Sequence, residues 1–327
     1  MSNRTLLDRL GELCNVDVDD IDTAFIKSLP FKPHNQTSNQ QIVCNAMLAD
    51  PNRKLFTDMV HKYGDQGWEE PRHIHNKDKI LQHCYLLATY FEEAGVSRDR
   101  FAIKIPFTGA AASAAAQLNP EGIRTLATSV FGLGQGIAAS QSNCLFISPY
   151  FNEIAAYFDV SLWPSVSDPA LEHPMSARLE TDREQPIMVI ASHFNTDEVM
   201  AMAEIGCQHI TISKKNLEEL MVTPDTLPPV TTLKPIRPYA ELVTPTRLRS
   251  LSLIDPLALV GWDGKLASVS ADYLTEGGSK LDQAIKADPI VAKRIQEAMK
   301  WFVEAEQRAK VAIEREIEAT RGSVDKL

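Results

Sequence analysis

One lysine stands out for its neighbours. Lys104 lies in the stretch FAIKIPFTG, between Ile103 and Ile105, in an apolar run with the composition of a buried strand. An ammonium there is costly unless it is paired or has shed its charge. A desolvated, neutral amine can attack a carbonyl carbon and form a Schiff base. The plainer reading is a lysine whose stem lies along the strand while its head reaches the rim or a carboxylate.

Other chemistry-bearing patterns are weaker. His73 and His75 alternate on one strand, a spacing that can chelate zinc. A metal site would need more ligands from later strand ends, and these offer Thr128, Ser148, Ser192 and Thr211, so no metal is expected and both imidazoles are read as facing the surrounding helices. The glycines of GLGQG, residues 132–136, lack the strand-and-turn setting of a phosphate cradle. No cofactor is therefore expected.

The elements that must position Lys104 alternate regularly. Apolar strand candidates fall at 14–18, 36–38, 72–75, 101–106, 125–130, 144–149, 187–191 and 209–212, with helical periodicity at 77–94, 110–118, 133–142 and 196–205. Eight strands with intervening helices predict a parallel sheet closed into a (β/α)8 barrel, where inward side chains near strand C-termini face the site. An open doubly wound sheet should carry a glycine-rich first turn, and that turn here is DDIDT. Residues 223–245 hold six prolines and read as a surface loop. Beyond them a helix over 289–319 places Val291, Ile295, Met299, Phe302 and Val303 on one face, which should pack on the barrel. The 327 residues are read as one domain, a barrel with a C-terminal helical extension.

Composition narrows the partners. With 44% apolar residues the chain can bury a large core, and its net charge of −10 argues against nucleic acid or an anionic membrane surface. No apolar run reaches membrane-spanning length, and the N-terminus has no uninterrupted apolar segment. Five dispersed cysteines without a CxxC fit free thiols in a reducing, cytoplasmic setting.

The residues around Lys104 carry a resemblance. IKIPFT, with Lys104 and Thr108, is similar to the lysine strand of the transaldolase family, a Schiff-base-forming (β/α)8 barrel that includes the fructose-6-phosphate aldolases. The likeness runs on through EGIRTLATSVFGLGQGIAASQSNCLFISPYFNEI, where Thr128, Gln135 and the strand end at 147–150 match. VDVDDIDTAFIK resembles the first strand and points to Asp19, while TSN at 37–39 resembles the family's TTN. In all, the resemblance covers roughly residues 14–220.

It implies that Lys104 forms the iminium, that Asp19 assists proton transfer, and that Thr128 positions a catalytic water. Ser148 and Tyr150 match the sixth strand, and a tyrosine there resembles the fructose-6-phosphate aldolase branch. Asn39 would bind donor hydroxyls, with Thr37 and Ser192 lining the substrate. Asp17 and Asp20 read as a solvated acidic turn. On the third strand PRHIHN places Asn76 at the catalytic position, with Glu69 and Glu70 as rivals. Two departures concern phosphate. The family's arginines correspond here to Glu153 and to Phe194 or His193, and its strand-five asparagine to Leu126. A carboxylate at Glu153 would repel a phosphate dianion unless it pairs with a surface lysine, and Lys214 or Lys215 could replace the anion site or simply start a solvated helix. The expected function is a Schiff-base enzyme making or breaking a C–C bond beside a carbonyl, on a small substrate without phosphate or with it held elsewhere. A homo-oligomer, such as a dimer, is expected from the family. The rival readings are a pentose-phosphate transaldolase with relocated phosphate ligands and a catalytically silent barrel that binds a partner.

Overall fold

The structure, a computed structural model, describes residues 4–63, 74–157, 159–162, 185–228, 267–268 and 270–324. Seven parallel strands are present among them: β1 Asn15–Asp19, β2 Gln36–Thr37, β3 Ile103–Pro106, β4 Thr125–Val130, β5 Phe146–Pro149, β6 Ile187–Ile190 and β7 His209–Ile212. Their spatial order is β2-β1-β7-β6-β5-β4-β3. The first strand thus pairs with the last, as in a sheet that curls back on itself, and the fold is the expected α/β barrel. The remaining gap lies between β2 and β3, where the strand expected at 72–75 belongs. Residues 72 and 73 lie outside the described residues, and Ile74 and His75 form a turn.

Helices fill the connections: α1 Leu6–Leu13, α2 Thr23–Ser28, α3 Gln40–Leu48, α4 Arg53–Tyr63, α5 Lys77–Glu93, α6 Gly109–Leu118, α7 Leu133–Gln141, α8 Thr196–Ile205 and α9 Lys214–Val222. Side-chain alternation sorts each strand. Val16, Val18, Ile190, Ile210 and Ile212 join one apolar cluster with α1, α8 and α9, and Ile103, Ile105, Ala127 and Ile147 join another with α5, α6 and α7. The intervening residues therefore face the barrel interior: Asp17 and Asp19, Lys104, Leu126 and Thr128, Ser148, and His209 and Thr211.

After these come α10 Thr275–Ala287 and α11 Pro289–Val324. Val291, Ile295, Ala298 and Phe302 of α11 are buried against Phe131, Tyr150, Ile154 and Ala191, the residues just beyond β4, β5 and β6. In α10, Asp282 accepts a hydrogen bond from the Gly109 N–H at 2.7 Å, just beyond β3. Backbone meets backbone there, since a Cβ on Gly109 would lie 2.1 Å from the Gly278 carbonyl oxygen. The C-terminal arm therefore crosses the C-terminal ends of four consecutive strands.

Candidate active site

Lys104 is half buried on the inner face of β3, in register with Leu126 on β4. An apolar neighbour leaves the amine without a carboxylate beside it on that strand. Two residues further up the same face stands Thr128, level with Pro106 and buried. Its hydroxyl donates to that of Tyr150 at 3.2 Å, joining the ends of β4 and β5. The pairing of β4 with β5 shifts between Ala127 and Val130, and Ser129 takes a left-handed φ of 54°. Such an irregularity re-aims side chains at a strand end. Gln135 fixes this region from below: its amide oxygen accepts from the N–H groups of Phe131 (2.9 Å) and Gly132 (3.2 Å), and its nitrogen donates to the carbonyls of Phe107 (2.8 Å) and Ser129 (3.1 Å). One of these bonds reaches the end of the lysine strand and three the end of the threonine strand, so one buried amide ties the two together.

On the other side of the barrel, Thr37 donates to Asp19 at 2.6 Å across the β1–β2 register. Asn39 caps α3, its oxygen accepting from the N–H groups of Gln41 and Ile42, both at 3.0 Å. The cap leaves its NH2 group as the part able to meet a substrate hydroxyl. Ser148 is buried on the inner face of β5. Ser192, at φ 73°, donates to the Asn152 carbonyl at 2.9 Å.

Tyr157, 48% exposed, is marked by no sequence motif. It follows β5 in a short 3-10 turn, and its ring packs edge-on against Phe194 with centres 4.6 Å apart. Burial of its hydroxyl raises the phenol pKa, the Ser192 hydroxyl opposes this, and the charge of Asp19 and the proximity of Tyr150 and Glu198 raise it further. No short motif marks such a residue, because its role depends on how the turn after β5 folds back over the mouth.

Several expectations need correction. Asp17 is no solvated turn. It is fully buried, and its carboxylate holds the His209 Nδ1 at 3.0 Å and the Asn35 backbone and side-chain N–H groups at 3.0 Å. Asn15 meets the other His209 nitrogen at 2.9 Å. The alternation that points Asp19 inward points Asp17 inward too, one layer lower. Glu153 does not stand free: Lys293 of α11 lies 3.5 Å away. Lys214 pairs with Asp22 at 3.5 Å and lies over the Phe25 ring, while Lys215 is exposed. Asn76 is exposed and caps α5, accepting from the Lys79 N–H at 3.1 Å. Glu69 and Glu70, like His73, lie outside the described residues, and His75 is exposed. Among the described residues no group of three or more His, Cys, Asp or Glu could hold a metal, and no helix is long and apolar enough to cross a membrane.

Comparison with known families agrees with the barrel fold. Residues 16–246 match the model of the transaldolase/fructose-6-phosphate aldolase family. The chain belongs to that family. The transaldolase of Methylobacillus flagellatus is 25% identical over 255 residues, covering 67% of this chain and 79% of that protein. The transaldolase of Fusarium oxysporum f. sp. lycopersici is 29% identical over 232 residues, 69% of this chain and 68% of its own length. That of Chlamydia muridarum reaches 33% identity, but over 155 residues, 44% of this chain and 46% of the relative. The stretch shared with the transaldolase/fructose-6-phosphate aldolase family contains Asp19, Lys104, Thr128, Tyr150 and Ser192. It ends before α10 and α11.

Proposed function

We propose that the chain is a Schiff-base enzyme that makes or breaks a C–C bond beside a carbonyl. The observation that carries this reading is Lys104 on the inner face beside Leu126, one layer below the hydrogen-bonded hydroxyls of Thr128 and Tyr150. The Lys104 amine attacks the carbonyl carbon, and loss of water gives an iminium. The iminium draws the electrons of the C–C bond one carbon away, releasing an aldehyde and leaving an enamine. The enamine then attacks an acceptor aldehyde or takes up a proton, and water hydrolyses the imine to regenerate the amine. Thr128 and Tyr150 hold that water, and Asp19, oriented by Thr37, receives and returns the proton.

The substrate we propose is not gripped by phosphate at the family's arginine positions. Glu153 occupies one and is held by Lys293. Phe194 or His193 occupies the other, and both are buried, Phe194 against Tyr157 and His193 against Phe151. The test is borohydride reduction in the presence of a panel of ketones and aldehydes, read by intact and peptide mass spectrometry. A reduced adduct on Lys104 supports the proposal. Absence of any adduct would favour a silent barrel, and a clear preference for fructose 6-phosphate would favour a pentose-phosphate transaldolase.

A further inference from the structure

Asp17 lies on the inner face of β1, one layer below Asp19, and is fully buried. A buried carboxylate is costly unless its oxygens are all hydrogen-bonded, and an apolar side chain would fill this layer more cheaply. Two of its bonds converge on Asn35. Oδ1 accepts from the Asn35 backbone N–H and Oδ2 from the Asn35 side-chain amide, both at 3.0 Å. His209 completes the cluster. Its Nε2 accepts from the Asn15 amide at 2.9 Å, so Nδ1 carries the proton and faces both Asp17 oxygens at 3.0 Å. The Asn35 amide nitrogen stands 3.1 Å from that same Nδ1, which closes a ring of three side chains.

Asn35 immediately precedes β2, which consists of Gln36 and Thr37 alone. Among the described residues β2 ends the sheet and pairs only with β1. Its register rests on two pairs, Val18 with Gln36 and Asp19 with Thr37. A strand this short specifies its register weakly. Asn35 supplies what is missing, because it is bound to β1 at three points. Its carbonyl accepts from the Val18 N–H at 3.0 Å, and its own N–H and its side-chain amide both go to Asp17. A slip of β2 would carry Thr37 away from Asp19, whose Oδ1 accepts the threonine hydroxyl at 2.6 Å.

We propose that Asp17 is a positioning residue for proton transfer: by clamping Asn35 it fixes β2 against β1, and so fixes the Thr37 hydroxyl on the Asp19 carboxylate. This rests on the Schiff-base reading above, in which Asp19 carries the proton. His209 holds Asp17 in place from β7, so the clamp draws on three neighbouring strands. Asp17 touches no reacting atom in this scheme and acts through Asn35 and Thr37.

The test uses the full chain with dihydroxyacetone as probe. In heavy water Asp19 takes an α-proton from the iminium, leaving the enamine, and returns a deuteron to the same carbon. Deuterium entering dihydroxyacetone, read by NMR, therefore reports proton transfer, while borohydride trapping reports the imine alone. Asp17→Asn and the milder Asn35→Ala should each slow labelling by about 10- to 100-fold and shift half-saturation of trapping by less than about twofold. In a Thr37→Val background either change should add less than about twofold, because the route through Thr37 is already cut. Equal slowing in both backgrounds is the mark of a merely structural loss and would overturn the proposal, as would unchanged labelling. Amide hydrogen exchange of the free protein separates the two readings. Asn35→Ala should speed exchange at the Val18 N–H by about 10-fold or more and leave β6 unchanged. If wild type traps nothing but this local loss is seen, the proton role fails with the Schiff base and the clamp on β2 stands. If Val18 keeps its protection, the clamp fails whatever Lys104 does.

Discussion

The hydroxyl of Thr128 donates to the hydroxyl of Tyr150 at 3.2 Å, with both residues buried at adjoining strand ends. A donating threonine leaves its own oxygen free to accept, and the phenol keeps a proton to give, so the pair can hold one water between donor and acceptor. Thr128→Val and Tyr150→Phe remove these functions one at a time at nearly constant volume. Each should lower kcat by about 10- to 10⁴-fold with a smaller change in KM. Unchanged turnover in both would move the proton chemistry to Asp19 alone.

Lys104→Met should abolish the reducible adduct and leave the melting temperature within a few degrees of wild type. The side chain is half buried beside Leu126, so a thioether of similar length fills its space without an amine. An adduct of undiminished yield in this variant, mapped to another lysine, would refute the assignment.

Asp17 makes a structural prediction. It accepts from His209 and from two N–H groups of Asn35, with no exposed surface. Asp17→Ala would strand these donors in the barrel interior and should cost about 2–5 kcal/mol in urea unfolding. Asp20→Ala, on the half-buried loop beyond β1, should cost under about 1 kcal/mol. Similar losses at both positions would contradict the inward register of β1.

Much of this was legible in the chain because strands and helices announce themselves locally. The strands around Lys104 and Thr128 and the helices α5 to α8 stand where periodicity put them, to within two residues at their ends. What stayed hidden depends on residues far apart in sequence. Asp17 looks solvent-facing within DVDD until His209 arrives from β7 and Asn35 from the loop before β2. The surface-lysine alternative for Glu153 is the one realised, and its lysine, Lys293, is 140 positions away. Tyr157 belongs to a segment whose path after β5 no local pattern encodes.

The arm's docking rests on a pair of glycines. Gly278 has φ 91°, and a Cβ there would stand 2.0 Å from the Gly109 carbonyl oxygen. Gly278→Ala therefore suffers both a left-handed backbone and a clash that neither rigid backbone can relieve. It should destabilise the protein by at least about 2 kcal/mol, or release α10 and α11 while the barrel persists. Limited proteolysis distinguishes these outcomes, and wild-type resistance across 275–300 in the variant would show that the contact is dispensable.

The last prediction concerns acid. His193 is 4% exposed, and burial drives its pKa down to about 3, with only the Thr211 backbone opposing. The unfolded chain takes up this proton near pH 6.5, whereas the native state refuses it until about pH 3. A folded pKa depressed in this way means that stability is fully present above pH 6.5. Between those limits the unfolded state binds the extra proton, so stability falls as pH falls, by about 1.4 kcal/mol per pH unit for one group. Glu198, five residues on, acts in the opposite sense: burial holds its carboxyl above the usual range, so its contribution grows with acidity and offsets part of the loss. His193→Phe isolates the imidazole, because a phenyl ring keeps the packing against Phe151, whose centre lies 5.6 Å away, and cannot take a proton. Urea unfolding of both proteins from pH 7 to pH 4 should show the difference between them narrowing or reversing in favour of phenylalanine by about 1 kcal/mol per unit. Parallel pH profiles for the two would mean that His193 is protonated as readily in the native state as in the unfolded chain.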